Sequence, residues 1–502
     1  MGSFTPKQSL TVLDNRTGNS YEVPIKNNAI QATAFTQMKA TPQAVFGAQD
    51  RPEDETEKGI RVSDSAYTNT AAVTSSITFI DGGRGILRYR GYPIEQLARK
   101  SHFLESAYLL IYGELPTAQR YDAWSNEVLH HTYLHHDVEH VMSSFRYDSH
   151  PMAMLISGFA ALGAFAPEAN PSLQGQNLYS NAAKGNVEAL AQMDKQIMRL
   201  IGKAPTLAAA TYRNRQGRPF NRPPTGLSYS GTFLYCLDQL SEHQYKPNAV
   251  LERALDILFL LHADHEMNCS TATMVHVGSS LVDPYSAVAA SCAALYGPLH
   301  GGASEAVVRQ LIDINGPENV PKFIEQVKRK ERNLAGFGHR VYRTTDPRST
   351  IIREVAEQVF SVTGRSKLLD TALALRDAAE KDDYFKSRNL HANVDFFSGI
   401  IYQQMGFPLD FYPVLFAVPR VVGWLAHWRQ AMLSPSQRIW RPKQIYIGAS
   451  ERDYVDVKQR EEAREPKYGS GPVSVAHGGD SKRRHLATYL DETGKLHARS
   501  KL

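Results

Sequence analysis

The sequence predicts a mostly α-helical fold with a short N-terminal β segment. Two observations predict it: strand-like patterns nearly vanish after residue 90, and apolar residues then recur at helical spacing. Leu10-Thr-Val-Leu13 and Tyr21-Glu-Val-Pro24 read as strands around the turn Asn15-Arg-Thr-Gly18. Residues 40–58 are rich in proline and acidic residues and read as a linker. Ile77-Thr-Phe-Ile80 runs into Asp81-Gly-Gly83, a hairpin signal. After Gly91-Tyr-Pro93 the helical pattern covers 104–112, 121–140, 152–165 and 251–265, and a further helix is expected over 303–314. Residues 167–185, rich in Asn, Pro, Gly and Ser, read as a loop insertion, and from 449 onward rising charge and glycine predict a tail outside the core. With no internal repeat, the body is expected to pack helix on helix.

The 502 residues are enough for a large core and more than one domain, and 42% hydrophobic with 21% charged residues is ordinary for a globular chain. The net charge of +5 is spread along the sequence, so nucleic acid is not indicated. No run of 18 apolar residues occurs, which argues against a membrane span. Cys236, Cys269 and Cys292 are isolated, as expected of a reducing compartment. The last residues, Ser500-Lys501-Leu502, form a peroxisomal import tripeptide, so an import receptor and a peroxisomal location are expected.

Candidate chemistry gathers between residues 262 and 441. His262-Ala-Asp-His-Glu266 ends a helical pattern and puts two histidines on one face. Zinc deserves weighing there, but the segment is neither HExxH nor HxxEH, and no metal site is assigned. His130, His131, His135, His136 and His140 read as an exposed polar helix face. Gly297-Pro-Leu-His-Gly-Gly302 brackets His300 with helix breakers ahead of a helix N-terminus, an arrangement that suits anionic groups. Gly336-Phe-Gly-His-Arg340 sets His339 near Arg340, Arg343 and Arg348, and arginine clusters suit carboxylate and phosphate. Asp395, between Val394 and two phenylalanines, would be a stronger base through desolvation. Arg420 and Arg441 add cations beside apolar sequence.

Together with Tyr89-Arg-Gly-Tyr-Pro-Ile-Glu-Gln-Leu97, Asp148-Ser-His-Pro-Met152, Gly423-Trp-Leu-Ala-His-Trp428 and Arg441-Pro-Lys-Gln-Ile-Tyr446, these motifs resemble the citrate synthase family from about Ile77 to Gly448. The resemblance implies a two-domain helical homodimer. Residues 1–60 would be the β segment and linker, 61–302 and 415–448 a large helical domain, 303–414 a small domain that closes over substrates, and 449–502 the tail. It implies condensation of acetyl-CoA with oxaloacetate and water, with no metal or redox cofactor.

Roles follow from the resemblance one residue at a time. Asp395 matches the base that removes the thioester α-proton, His300 the donor to its carbonyl oxygen, and Ser270 the residue that orients that histidine. His339 matches the group that polarises the oxaloacetate carbonyl. His265, Arg348 and Arg420 match oxaloacetate binders, Arg441 an arginine supplied by the partner subunit, and Arg343 a CoA-phosphate contact. Two departures flank the site: Ser304-Glu305 where the family commonly has Asn-Glu, and His391-Ala392 where it commonly has Tyr-Pro. They put acyl-chain length in question, so an alkylcitrate or 2-methylcitrate synthase is the alternative within the class. A metal-dependent hydrolase and a non-catalytic scaffold are the alternatives outside it.

Overall fold

A computed structural model describes residues 7–41, 58–174, 177–338, 341–344, 346–447 and 451–460. They fall into two compact units, one formed by Met1–Thr70 with Lys443–Leu502, the other by Ala71–Pro442.

The first unit carries the expected β segment. Strand β1 (Ser9–Asp14) pairs antiparallel with β2 (Asn19–Lys26) in the register Leu10↔Val23 and Val12↔Tyr21, and β2 pairs with β3 (Ala29–Ile30). The turn closes because Gly18 takes φ +75, a value that suits glycine. Arg16 clamps it by donating to both oxygens of Asp14 at 2.9 and 2.8 Å.

The second unit opens with a hairpin, β4 (Thr78–Asp81) against β5 (Ile86–Tyr89), followed by β6 (Tyr92–Pro93). Asp81 caps its turn by accepting from the backbone N–H groups of Gly83 and Arg84, each at 3.0 Å. The rest is helical among the described residues. Phe103–Tyr112, Pro151–Ala164, Ala249–His262 and Ala303–Ile314 lie where the apolar spacing put them.

Two expectations fail. The pattern over 121–140 is not one helix but two, Ala118–His130 and His136–Ser143. The break is tertiary: Lys203 donates to the carbonyls of His131 and Tyr133, and Gly202 packs so close to the Val128 carbonyl that a Cβ there would lie 2.3 Å from it. The loop insertion over 167–185 contains short helices at Pro167–Ala169, Pro171–Gln174 and Leu178–Ala183. Buried Ala169, Tyr179 and Ala182 hold it down, with the Tyr179 hydroxyl donating to the Ala169 carbonyl.

The core is organised around Tyr412–Met432, which packs on helices Phe103–Tyr112, Val187–Arg215, Ala249–His262, Cys269–Gly278 and Pro284–Tyr296. Among the described residues, Leu409–Met432 is long and apolar enough to cross a membrane, but 83% of its most apolar window is buried in the protein. It is a core helix. A second group centres on Val394–Gln404, which packs on Ala303–Ile314 and Pro347–Thr363, and the latter also touches Ala249–His262.

Candidate active site

Helix Ala249–His262 ends in a tightly anchored turn. Gly423 donates to the Ala263 carbonyl, the Tyr89 hydroxyl to the Asp264 carbonyl at 2.8 Å, and Arg420 Nε to the His262 carbonyl at 2.6 Å. The fully buried Asp264 carboxylate accepts from Thr78 Oγ1 at 2.5 Å and from the Glu266 N–H at 3.1 Å, and lies 3.3 Å from His427 Nε2. Burial alone would raise its pKa, but His427, the Thr78 hydroxyl and the charge on Arg420 hold it below the usual carboxylate value. The bond to Glu266 matters because Glu266 is left-handed, at φ +56. The outcome is that His265 is presented with Nε2 3.3 Å from the Tyr342 hydroxyl.

Asn268 caps the next helix, Cys269–Gly278, by accepting from Thr271 N–H. The cap puts Ser270 Oγ 2.9 Å from His300 Nε2, while Trp424 Nε1 donates to the same hydroxyl at 3.0 Å. His300 lies in the turn after Pro284–Tyr296, its ring 6.4 Å from that of Phe416. Burial, then the charge on Arg420, pushes its pKa down to about 4, so the imidazole is neutral at physiological pH.

Arg348 and Arg420 are both buried. Asp346, which caps helix Pro347–Thr363, pairs with Arg348 through two bonds, Nε to Oδ1 at 3.1 Å and Nη2 to Oδ2 at 2.8 Å. Burial opposes the Arg348 charge, yet Asp346 lifts its pKa above the ordinary arginine value. Arg420 lies over the Phe416 ring at 4.5 Å, and burial lowers its pKa to about 10, which leaves it cationic.

Asp395 occupies the first turn of Val394–Gln404, its N–H capped by Asn393 Oδ1 at 3.0 Å. Desolvation pushes its pKa up to about 6 against the fields of Arg348 and Arg420. The turn Gly336-Phe-Gly338 is zipped onto this segment: Phe337 bridges Ala392, Gly338 N–H donates to the His391 carbonyl, and Asn393 N–H to that of Gly336. Gly336 stands at φ +79, where a Cβ would lie 2.5 Å from Val307 Cγ2.

His265, Ser270, His300, Arg348, Arg420 and Asp395 thus belong to one electrostatically connected region, with Arg420 acting on His300, Asp395 and Asp264. Arg343 and Arg441 are exposed. His339 lies outside the described residues, although Gly338 beside it is fixed. The import tripeptide also lies outside them. Ser304 is buried where Ala303–Ile314 meets Val394–Gln404, close enough that a Cβ on Gly399 would lie 2.7 Å from its carbonyl. His391 and Ala392 line a small pocket with Gly338, Thr344 and Asp346. Among the described residues no three His, Cys, Asp or Glu side chains are grouped to hold a metal ion. Sequence reasoning missed Asp264, Asn268, Asp346, Trp424 and His427. The Asp346-Pro347 and Asn268-Cys269 steps, both helix-start signals, could have marked two of them.

A family description, citrate synthase C-terminal domain, matches residues 66–443. The chain belongs to the citrate synthase family. It is 50% identical over 477 residues to a citrate synthase of Dictyostelium discoideum, covering 95% of this chain and 89% of that one. A peroxisomal citrate synthase of the same organism is 52% identical, covering 91% and 89%. A glyoxysomal citrate synthase of Cucurbita maxima is 46% identical, covering 95% and 88%. Among solved structures, the citrate synthase of Pyrobaculum aerophilum matches with a TM-score of 0.71 at 36% identity, covering 78% of this chain and 93% of that one. That of Thermoplasma acidophilum, a ternary complex with carboxymethyl coenzyme A and oxaloacetate, matches with a TM-score of 0.69 at 32% identity, covering 78% and 98%. This citrate synthase fold accounts for the mostly helical body with few strands.

Proposed function

We propose that this chain condenses acetyl-CoA with oxaloacetate and water to give citrate and CoA, in the peroxisome. The observation that carries the reading is the set of complementary groups around Arg420: a carboxylate of raised pKa, a neutral imidazole and two buried guanidiniums. Asp395 takes a proton from the acetyl methyl group while His300, oriented by Ser270, donates to the thioester oxygen as negative charge grows there. The enol carbon attacks the oxaloacetate keto carbon, and His339 gives a proton to the oxygen that becomes the citrate hydroxyl. Water then cleaves the citryl thioester and releases CoA. His265, Arg348 and Arg420 hold the dianionic keto acid, and Arg343 meets a CoA phosphate. The active form is a homodimer in which Arg441 of one subunit completes the site of the other. The segment 303–414 acts as a small domain that closes over the substrates and excludes water. No metal or redox cofactor takes part. Peroxisomal and glyoxysomal relatives support the location.

The test is CoA release by the purified chain with oxaloacetate and straight-chain acyl-CoAs from acetyl to decanoyl. A clear preference for acetyl-CoA, unaffected by a chelator, is expected. Faster turnover of propionyl or longer chains would install the alkylcitrate or methylcitrate reading, which the sequence departures at Ser304, His391 and Ala392 raise.

A further inference from the structure

We propose that Gly82 is a positioning residue: its bare Cα is the seat that fixes the backbone of residues 341–343, and with it Tyr342 and Arg343, beside His265. Its meaning for substrate binding rests on the roles proposed above for His265 and Arg343.

Gly82 lies at the tip of the hairpin formed by β4 and β5, between Asp81 and Gly83. Its carbonyl accepts from Arg343 N–H at 2.8 Å, well inside the ordinary range for such a bond. The approach is closest at its Cα. A Cβ on Gly82 would lie 1.9 Å from the Val341 carbonyl oxygen, 2.7 Å from its carbon and 3.3 Å from Tyr342 N. All three are backbone atoms, so no change of rotamer relieves the clash. Gly82 does not have a positive φ, so the hairpin itself does not require glycine there. What requires it is the approach of the 341–343 backbone. Gly83 supplies the contrast within the same turn: a Cβ there would meet only Asp81 Oδ1, at an ordinary 3.4 Å.

The hairpin that offers this seat is itself fixed to the other side of the site. Thr78 Oγ1 on β4 donates to the Asp264 carboxylate at 2.5 Å, and the Tyr89 hydroxyl on β5 donates to the Asp264 carbonyl at 2.8 Å. These bonds hold the turn that presents His265. At the tip, Asp81 accepts from the N–H groups of Gly83 and Arg84, which sets the shape of the turn. One hairpin therefore locates two segments remote in sequence. Its strands hold Asp264 next to His265, and its tip holds residues 341–343.

The two segments meet at Tyr342. That side chain is 2% exposed, and its ring stands edge-on to His265 with centroids 5.7 Å apart. Burial and ring packing set its place; the hydroxyl contact to His265 Nε2, at 3.3 Å, is long for a hydrogen bond. Arg343 follows at the exposed edge. Relieving a 1.9 Å contact to an ordinary 3.4 Å needs a retreat of more than about 1 Å, and a displacement of that size costs up to about 100-fold in a site that depends on position.

The experiment is amide hydrogen exchange of the full chain without ligands, read by mass spectrometry on overlapping peptides that end on either side of Arg343, together with calorimetric titration of oxaloacetate. In the wild type the Arg343 amide is expected to exchange at least about tenfold more slowly than an unstructured amide. Gly82→Ala should expose it and weaken oxaloacetate binding about tenfold, while exchange over helix Ala249–His262 stays as in the wild type. Gly83→Ala stiffens the same turn without reaching residues 341–343, and should keep both readings within about twofold of wild type. A purely structural defect would instead spread fast exchange through the hairpin and act alike in the two variants. An unprotected Arg343 amide in the wild type, a Gly82→Ala chain that keeps protection and affinity, or a Gly83→Ala chain that loses them overturns the proposal. The wild-type reading needs no variant, so it decides even where Gly82→Ala does not fold. Oxaloacetate binding by the wild type is scored separately: its absence alongside a protected Arg343 amide would remove the functional reading and leave the seat standing.

Discussion

Asp395, the proposed base, is half-buried and partly desolvated, so protons compete for its carboxylate near neutrality. With its pKa raised to about 6, the carboxylate is lost as pH falls through that value, so kcat/KM for acetyl-CoA should rise with pH through about 6 and then level off. Asp395→Asn should lower turnover by about 10²–10⁴-fold and leave oxaloacetate affinity, measured by calorimetry, nearly unchanged. Asp346 makes a different kind of demand. It neutralises a guanidinium buried to 2% exposure, so Asp346→Ala should cost about 3–5 kcal/mol of stability, read from the urea midpoint and slope. The residues legible in the sequence were those with unusual neighbours: His300 among glycines, Asp395 among aromatics. Asp264 and Trp424 stayed hidden because their partners are remote, Thr78 lying 186 positions from Asp264 and Ser270 154 from Trp424, and no local pattern records such a meeting.

Helix Tyr412–Met432 places Phe416, Arg420, Trp424 and His427 at helical intervals, so one face of one rod touches His262, His300, Ser270 and Asp264. The rod seats closely at Gly423, where an added Cβ would lie 2.3 Å from the Ala263 carbonyl and 2.5 Å from Asp264 Oδ1. Gly423→Ala should therefore lower stability by about 1–3 kcal/mol in thermal denaturation and raise the KM for oxaloacetate more than that for acetyl-CoA. Apolar spacing located most helices to within a few residues, because burial of one face is written into each of them. It failed at His131–His135, where a lysine and a glycine of another helix end the pattern early.

Dimer formation and shared sites can be tested together. Arg441→Ala and Asp395→Ala chains should each be inactive alone. Unfolded together, mixed one to one and refolded, they should regain roughly a quarter of wild-type activity, because each mixed dimer holds one intact site. No recovery, with mixed dimers verified by mass spectrometry, would place Arg441 outside the partner's site. The N-terminal β segment was legible from its turn residues.

The rod at the centre of this protein also bears on how its specificity can change in evolution. Arg420, one of the groups assigned to the keto acid, is built into this helix and buried among several others, so a mutation that retunes that contact also disturbs the core. The groups beside Asp395 at His391 and Ala392 sit on a short zipped segment instead. Lineages should thus hold the acceptor constant and diversify the donor, and directed evolution toward new acyl groups should find its tolerated substitutions at 391 and 392 before any at 416–427.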